Sequence, residues 1–305
     1  MDDAARFHLI PIVRLATVPY MKDASVWRKP NFADVMDAAN FLNSLTWPTK
    51  NRYVILFNEV NRADEWQGEA PNPREYAEIV SFAADIFGRK SEDFYLITAG
   101  LDNAAPNDGQ KYMDNMVYFR GMISYDPLIF YKIHGIASHS YPNPGFSRPP
   151  SIENEVGTAT YKFERDLIKE LTSADKPVFI TETGWDAQSL GEDLSASYLK
   201  EAMSSIWLTD ETVIAVTPFL LESGNGPFSK FTFLNGGKPS KAGITLKDII
   251  KTKGIPIVNQ TDVKSVTTAG NEVKGEFFHQ ELVMLESKNG PPILRNYFKA
   301  ILGVY

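Results

Sequence analysis

The chain has 305 residues, enough for one large domain or two modest ones with a sizeable core. A formal net charge of −7, spread without a basic arm, argues against nucleic acid or another polyanion as partner. Cysteine is absent, which excludes disulfides, thiol nucleophiles and cysteine-ligated metals. No apolar run approaches the roughly 20 residues of a membrane span, so no membrane partner is expected. The opening Met1-Asp2-Asp3-Ala4-Ala5-Arg6 lacks the basic-then-apolar pattern of a secretory signal.

Short apolar runs recur along the chain, at 7–15, 53–57, 94–99, 133–138, 178–181 and 213–221. Each is rich in β-branched or aromatic residues and nearly continuous rather than alternating, as in parallel strands covered on both faces. Amphipathic stretches separate them. Residues 32–45 read as a helix capped by Asn31, and 73–87 as a helix with Pro73 in its first turn and Gly88 as its stop. Residues 158–172 and 194–208 read as two more helices, the last capped by Asp193. The alternation predicts βα units with right-handed crossovers, about six of them. Beyond residue 221 the pattern changes to a glycine-rich loop carrying Phe228, Phe231 and Phe233, then a helix at 242–252. Short strands are expected at 256–258, 263–266, 276–279 and 282–285. The predicted organisation is an α/β barrel domain over 1–240 and a C-terminal extension, mixed helix and short strands, over 241–305.

Two of the apolar runs deliver a carboxylate at their C-terminal edge. Tyr53-Val54-Ile55-Leu56-Phe57 leads into Asn58-Glu59, and Pro177-Val178-Phe179-Ile180 leads into Thr181-Glu182-Thr183-Gly184-Trp185. Paired carboxylates suit the cleavage of a glycosidic bond, where one group gives a proton to the leaving oxygen and the other supplies electron density to the anomeric carbon. Their environments must then differ, one protonated and one ionised. For each Glu taken alone, the plainer alternative is a strand end facing water or a salt bridge.

These two motifs resemble the fourth- and seventh-strand motifs of clan A glycoside hydrolases, the (β/α)8 barrels that include cellulases and β-glycosidases. On that resemblance, residues 7–15 are the third strand and 213–221 the eighth, and the likeness covers about residues 7–235. It implies a TIM-barrel fold, retaining hydrolysis of β-linked oligo- or polysaccharides, Glu59 as acid/base and Glu182 as nucleophile. It also implies that Asn58 hydrogen-bonds the sugar 2-hydroxyl. A His or Tyr near the nucleophile is expected at the end of the sixth strand, which points to His139 and Tyr141, with a Tyr141 hydroxyl donating to Glu182. His134, earlier in that strand, reads as core.

Further substrate-binding candidates follow from residue type. Trp185 and Trp66 offer aromatic faces for a sugar ring, against ordinary packing under a loop. Arg14, among apolar neighbours near the end of its strand, needs a carboxylate partner and could orient one of the glutamates. Arg62 and Glu65, after the acid/base, read as solvated or paired. Asp102 and Asn103 are weaker cleft candidates. The chain departs from the clan pattern in two places: strands one and two are not recognisable, and no Trp ends the eighth run, where Phe219 or the later phenylalanines could substitute. No metal-ligand spacing, phosphate loop or nucleophile elbow is present, so neither metal nor cofactor is expected. The competing reading is a non-catalytic carbohydrate-binding barrel. Oligomeric state is not legible. A polymeric substrate would suit a secreted or cell-surface protein.

Overall fold

The computed structural model describes residues 1–249. A short helix α1 (Asp2–Arg6) precedes β1 (Ile12–Arg14), and a hairpin of β2 (Pro19–Tyr20) and β3 (Asp23–Trp27) follows. The chain continues through α2 (Phe32–Ser44), β4 (Arg52–Ile55), α3 (Pro73–Lys90), β5 (Phe94–Ile97) and α4 (Asn115–Tyr125). It then runs through β6 (Ile136–His139), α5 (Thr160–Thr172), β7 (Val178–Glu182), α6 (Ala187–Leu190), α7 (Glu192–Ala202) and β8 (Val213–Val216). A small hairpin of β9 (Leu234–Asn235) and β10 (Lys238–Pro239) leads into α8 (Lys241–Asp248).

Strands β1, β4 and β5 pair in parallel in that order, as do β6, β7 and β8. A parallel bridge between Ile97 and Gly135 joins the two groups into one arc. The arc is strongly curled. Arg14 at the end of β1 meets Glu182 at the end of β7 at 2.7 Å, although four inter-strand steps of about 4.8 Å would separate those strands in a flat sheet. The concave face closes on itself as a compact apolar cluster of Ile55, Ile97, Ala137 and Phe179, ringed by Ile12, Tyr53, Tyr95 and Ala215. Phe179 lies 5.6 Å from the Tyr53 ring and 5.7 Å from Tyr95. The alternate residues, such as Val54, Leu96 and Val178, face the helices in a second, larger core. Two buried faces explain why these strands read as continuous apolar runs. The expected α/β architecture is present, but no closed ring of eight strands forms among the described residues, because no further strand pairs with the outer edge of β1 or β8.

Local signals set the helix ends. Asn31 caps α2 in a reciprocal capping box with Asp34. Asn72 caps α3, with Pro73 in its first turn. Three expectations are corrected. Helix α3 runs through Gly88 to Lys90, since that glycine has open space around it and no turn to serve. Asp193 does not cap α7: Gly191 is the N-cap, and Asp193 sits in the first turn and pairs with Lys241 of α8 at 2.6 Å. The 7–15 run is not one strand; α1 and a turn occupy its start and only Ile12–Arg14 is extended. The β2–β3 hairpin and α4 had no counterpart in the sequence reading. Helix α8 packs on α7, and the strands expected at 256–258, 263–266, 276–279 and 282–285 lie outside the described residues. No helix among the described residues is long and apolar enough to cross a membrane.

One buried acid stands out behind β6. Glu164 on α5 is fully buried; its Oε1 accepts from Asn115 Nδ2 at 2.8 Å, and its Oε2 has no partner. Burial lifts its pKa from 4.5 to about 7. The folded protein therefore binds this proton more tightly than the unfolded chain. The stability it contributes is complete below about pH 4.5 and is lost as pH rises through about 7. Glu164→Gln is expected to match the wild type in urea unfolding near pH 4.5 and to exceed it at pH 8, by up to ~3 kcal/mol.

Candidate active site

The C-terminal ends of the curled strands surround a cleft of about 480 Å³ lined by Arg14, Asn58, Glu59, Arg62, Glu65, Asp102, Tyr141 and Glu182, with Trp27, Phe146, Phe219, Phe228 and Phe231 among its walls. The segment after β4 is built to turn sharply. Phe57 and Glu59 both have positive φ, 73° and 34°, a conformation that costs non-glycine residues on the order of 1–3 kcal/mol each and persists where surroundings impose it. Those surroundings are visible. The buried Tyr76 hydroxyl donates to Leu56 O at 2.8 Å and accepts from Ala99 N at 2.7 Å, clamping the ends of β4 and β5 together. Glu59 N donates to Gly100 O at 2.9 Å. Asn61 spans the two following loops through Asp102 and Met113.

Glu59 and Glu182 face each other across His139. His139 Nδ1 lies 2.9 Å from Glu59 Oε1, and Nε2 lies 3.9 Å from Glu182 Oε1. One ligand-type atom from each of the three residues lies within 4.8 Å of the other two, so the two carboxylates approach to within that distance. An irregularity in the β6–β7 pairing after Ser138 sets His139 opposite Glu182. His139 is 1% exposed, and a Cβ on Gly100 would stand 2.2 Å from its Cδ2, so only glycine admits the ring there. Burial pulls the imidazole pKa down, but the facing Glu182 and Glu59 carboxylates outweigh it and the net direction is upward.

Glu182 is the more heavily held of the two carboxylates. Arg14 Nη1 donates to its Oε1 at 2.7 Å and the Tyr141 hydroxyl to its Oε2 at 3.0 Å. Burial and the adjacent Glu182 push the Tyr141 phenol far above its ordinary range, so it stays a donor. Asn103, rather than lining the cleft, lies buried beneath it and donates to Tyr141 O at 3.0 Å. The same Arg14 Nη1 donates to Asn58 Oδ1 at 2.5 Å, and Asn58 Nδ2 donates to Glu65 Oε1 at 2.8 Å. Burial lifts Glu65 to about 7, against the Asn58 hydrogen bond. Arg62 lies 3.7 Å from Glu59 and pairs with Asp102 at 3.0 Å and Asp64 at 2.7 Å.

Glu59, His139 and Glu182 have the spacing to hold a metal ion. Arg14 and Arg62 already stand against the two carboxylates, and a divalent cation would meet both guanidinium charges at close range. The cluster is better suited to sharing protons than to ligating a metal.

Of the residues expected in the site, Glu59, Glu182, Asn58, His139, Tyr141 and Arg14 come together. Two do not. Trp66 is 0% exposed and packs edge-on against Tyr76 in the core beneath the loop. Trp185 is 3% exposed, lies against Trp207 and Tyr198, and donates to Arg148 O at 2.8 Å. Large rings following strand ends were drawn into the helix–strand core by their apolar area. His134 is not core: it is exposed, precedes β6, and its Nδ1 accepts from Leu96 N at 3.0 Å. The sequence reading passed over Gly100, Trp27 and Phe146, and left Arg62 and Glu65 as solvated or paired. A dense charge cluster directly after Glu59, from Arg62 to Glu65, was the available signal for the last two.

No family model matches this sequence, and no curated protein does. Solved structures do. An endo-β-1,3-glucanase of family 128, subgroup II, from Sorangium cellulosum is 14% identical, with TM-score 0.52 over 80% of this chain and 91% of that one. A monomeric β-xylosidase from Caulobacter crescentus is 12% identical, with TM-score 0.54 over 78% of this chain and 52% of that one. A family 128, subgroup I, endo-β-1,3-glucanase from Amycolatopsis mediterranei, in complex with laminaritriose, is 12% identical, with TM-score 0.50 over 79% and 91%. At such identities the likeness is one of fold: the arrangement of helices and strands is similar to that of these glycoside hydrolases.

Gly100→Ala is expected to displace the His139 ring and to destabilise the protein by ~1–3 kcal/mol in urea unfolding, the usual cost of overpacking. An unchanged unfolding midpoint would contradict the close approach.

Proposed function

We propose that the protein is a retaining glycoside hydrolase that cleaves β-linked oligo- or polysaccharides by double displacement. The observation that carries this reading is that one oxygen of Glu59 lies within 4.8 Å of one oxygen of Glu182, the close pairing that suits retaining enzymes, whose carboxyl groups stand roughly 5–5.5 Å apart rather than the roughly 6.5–9.5 Å that leaves room for a water. The roles follow from unequal surroundings. Glu182 receives Arg14 and Tyr141 as donors, which fix both of its oxygens and aim it as the nucleophile. Glu59 has the His139 ring nitrogen as its nearest partner, a group that can take up or return a proton.

In the first step a Glu182 oxygen bonds to the anomeric carbon as the glycosidic C–O bond breaks, and the leaving oxygen takes a proton from Glu59. In the second, Glu59 takes a proton from water, the water oxygen bonds to the anomeric carbon, and Glu182 leaves as carboxylate. Asn58 has its Oδ1 on Arg14 and one N–H on Glu65; the other N–H is left to donate to a sugar hydroxyl. Phe219 and Phe231 supply apolar surface where the clan pattern would have a Trp. The named substrates of the structural neighbours make β-1,3-gluco-oligosaccharides the first to try, and a polymeric substrate would fit a secreted or cell-surface location.

A panel of activated aryl β-glycosides is expected to show turnover that Glu182→Ala lowers by ~10⁴-fold or more. Azide should restore product as the inverted glycosyl azide, and proton NMR of the wild-type reaction should show retained anomeric configuration. Sugar binding without turnover of any glycoside would favour the non-catalytic barrel instead.

A further inference from the structure

The mechanism leaves the β2–β3 hairpin unused, yet the hairpin forms one wall of the cleft through Ser25 and Trp27. Trp27 is 39% exposed, whereas Trp66 and Trp185 are buried. Its backbone is fixed from two sides. Gln67 N donates to Trp27 O at 2.9 Å, tying the hairpin to the loop after β4. The next residue, Arg28, donates from its N to Val18 O at 2.9 Å, accepts at its O from Thr17 Oγ1, and pairs with Asp34. An aromatic ring on a pinned backbone, half exposed inside a concave cleft, differs from a scattered surface apolar residue.

Glu65 stands on the turn against which β3 packs and lines the same cleft. Its Oε1 is engaged by Asn58, while no hydrogen bond from the described residues reaches its Oε2. We propose that Trp27 and Glu65 form a sugar subsite: the indole face covers the apolar C–H face of one pyranose ring, and Glu65 Oε2 accepts a hydrogen bond from a ring hydroxyl. The ring belongs to an oligosaccharide whose neighbouring unit lies between Glu59 and Glu182, so this inference rests on the glycosidase reading above. Burial lifts Glu65 to about 7, so it is partly protonated near neutral pH, and its oxygens can accept from hydroxyls in either form.

The test compares kcat/KM for laminarihexaose with that for whichever aryl β-glycoside the protein turns over. Trp27→Ala should lose about tenfold on the hexasaccharide, mainly in KM, and much less on the short glycoside, since only the longer chain covers the ring. Trp27→Phe should recover most of the loss, which separates a platform from a folding defect. Glu65→Gln keeps an acceptor for Asn58 and should raise KM for the hexasaccharide several-fold. Equal losses on both substrates, or no change on either, would overturn the subsite; a fall in kcat alone for Glu65→Gln on both substrates would remove Glu65 from it. If the wild type turns over no glycoside, the glycosidase reading fails separately. Calorimetric titration with laminarihexaose then decides the subsite: about tenfold weaker binding by Trp27→Ala supports it, and absent or unchanged binding overturns it.

Discussion

One guanidinium holds the two ends of this site together. Arg14, the last residue of β1, donates to Glu182 at the end of β7 and to Asn58 after β4. Asn58 follows the neighbouring strand β4, but β7 lies four steps along the arc from β1, so the contact with Glu182 exists only because the sheet curls. The curl in turn rests on packing of the concave face, where Phe179 reaches Tyr53 and Tyr95 across the interior. The Arg14 side chain is itself 43% exposed, so water screens part of this pair, and its geometric role across the curl weighs as much as its charge. Arg14 is thus a structural tie and an electrostatic partner through the same nitrogen.

Around that tie, charge is arranged unevenly. Glu59, Asp64, Glu65, Asp102 and Glu182 face two arginines in a single cleft, with His139 buried beneath it. Arg14 serves Glu182, whereas Arg62 divides its attention among Asp64, Asp102 and, at longer range, Glu59. His139, sealed beneath both glutamates, touches each, and their carboxylates hold its imidazole above its ordinary range against the pull of burial. The two carboxylates thus sit in unequal surroundings, Glu182 with the Arg14 and Tyr141 donors and Glu59 with the His139 ring nitrogen. The strained backbone at Phe57 and Glu59 fits this picture: Tyr76, Gly100 and Asn61 hold a turn that the residues alone would not choose.

Much of this was legible one residue at a time. Strands buried on both faces leave an unmistakable apolar run, and the carboxylates ending two of them were visible for the same reason. Helix starts at Asn31 and Pro73 rest on local signals, a side-chain cap and a preset φ, and so are written locally. The failures have a common cause as well. Asp193 has the residue type of a cap but is the second residue of the helix, two past the cap at Gly191. Trp66 and Trp185 have the type of a sugar platform but were claimed by the core. Trp27 belongs to a hairpin only a few residues long, too short for an alternating pattern to stand out.

The sequence by itself determined the class of architecture, the order of the strands and the two glutamates, because backbone periodicity and strand-end chemistry are properties of adjacent residues. Tertiary structure alone decided which of the other polar and aromatic groups belong to the site. Arg14 meets Glu182 across a curl, His139 fits where Gly100 has no side chain, and Glu65 turns inward through Asn58. Each of these contacts joins residues from different elements, and no short-range pattern specifies them: they follow from how the sheet bends and from which side chains its burial leaves facing the cleft.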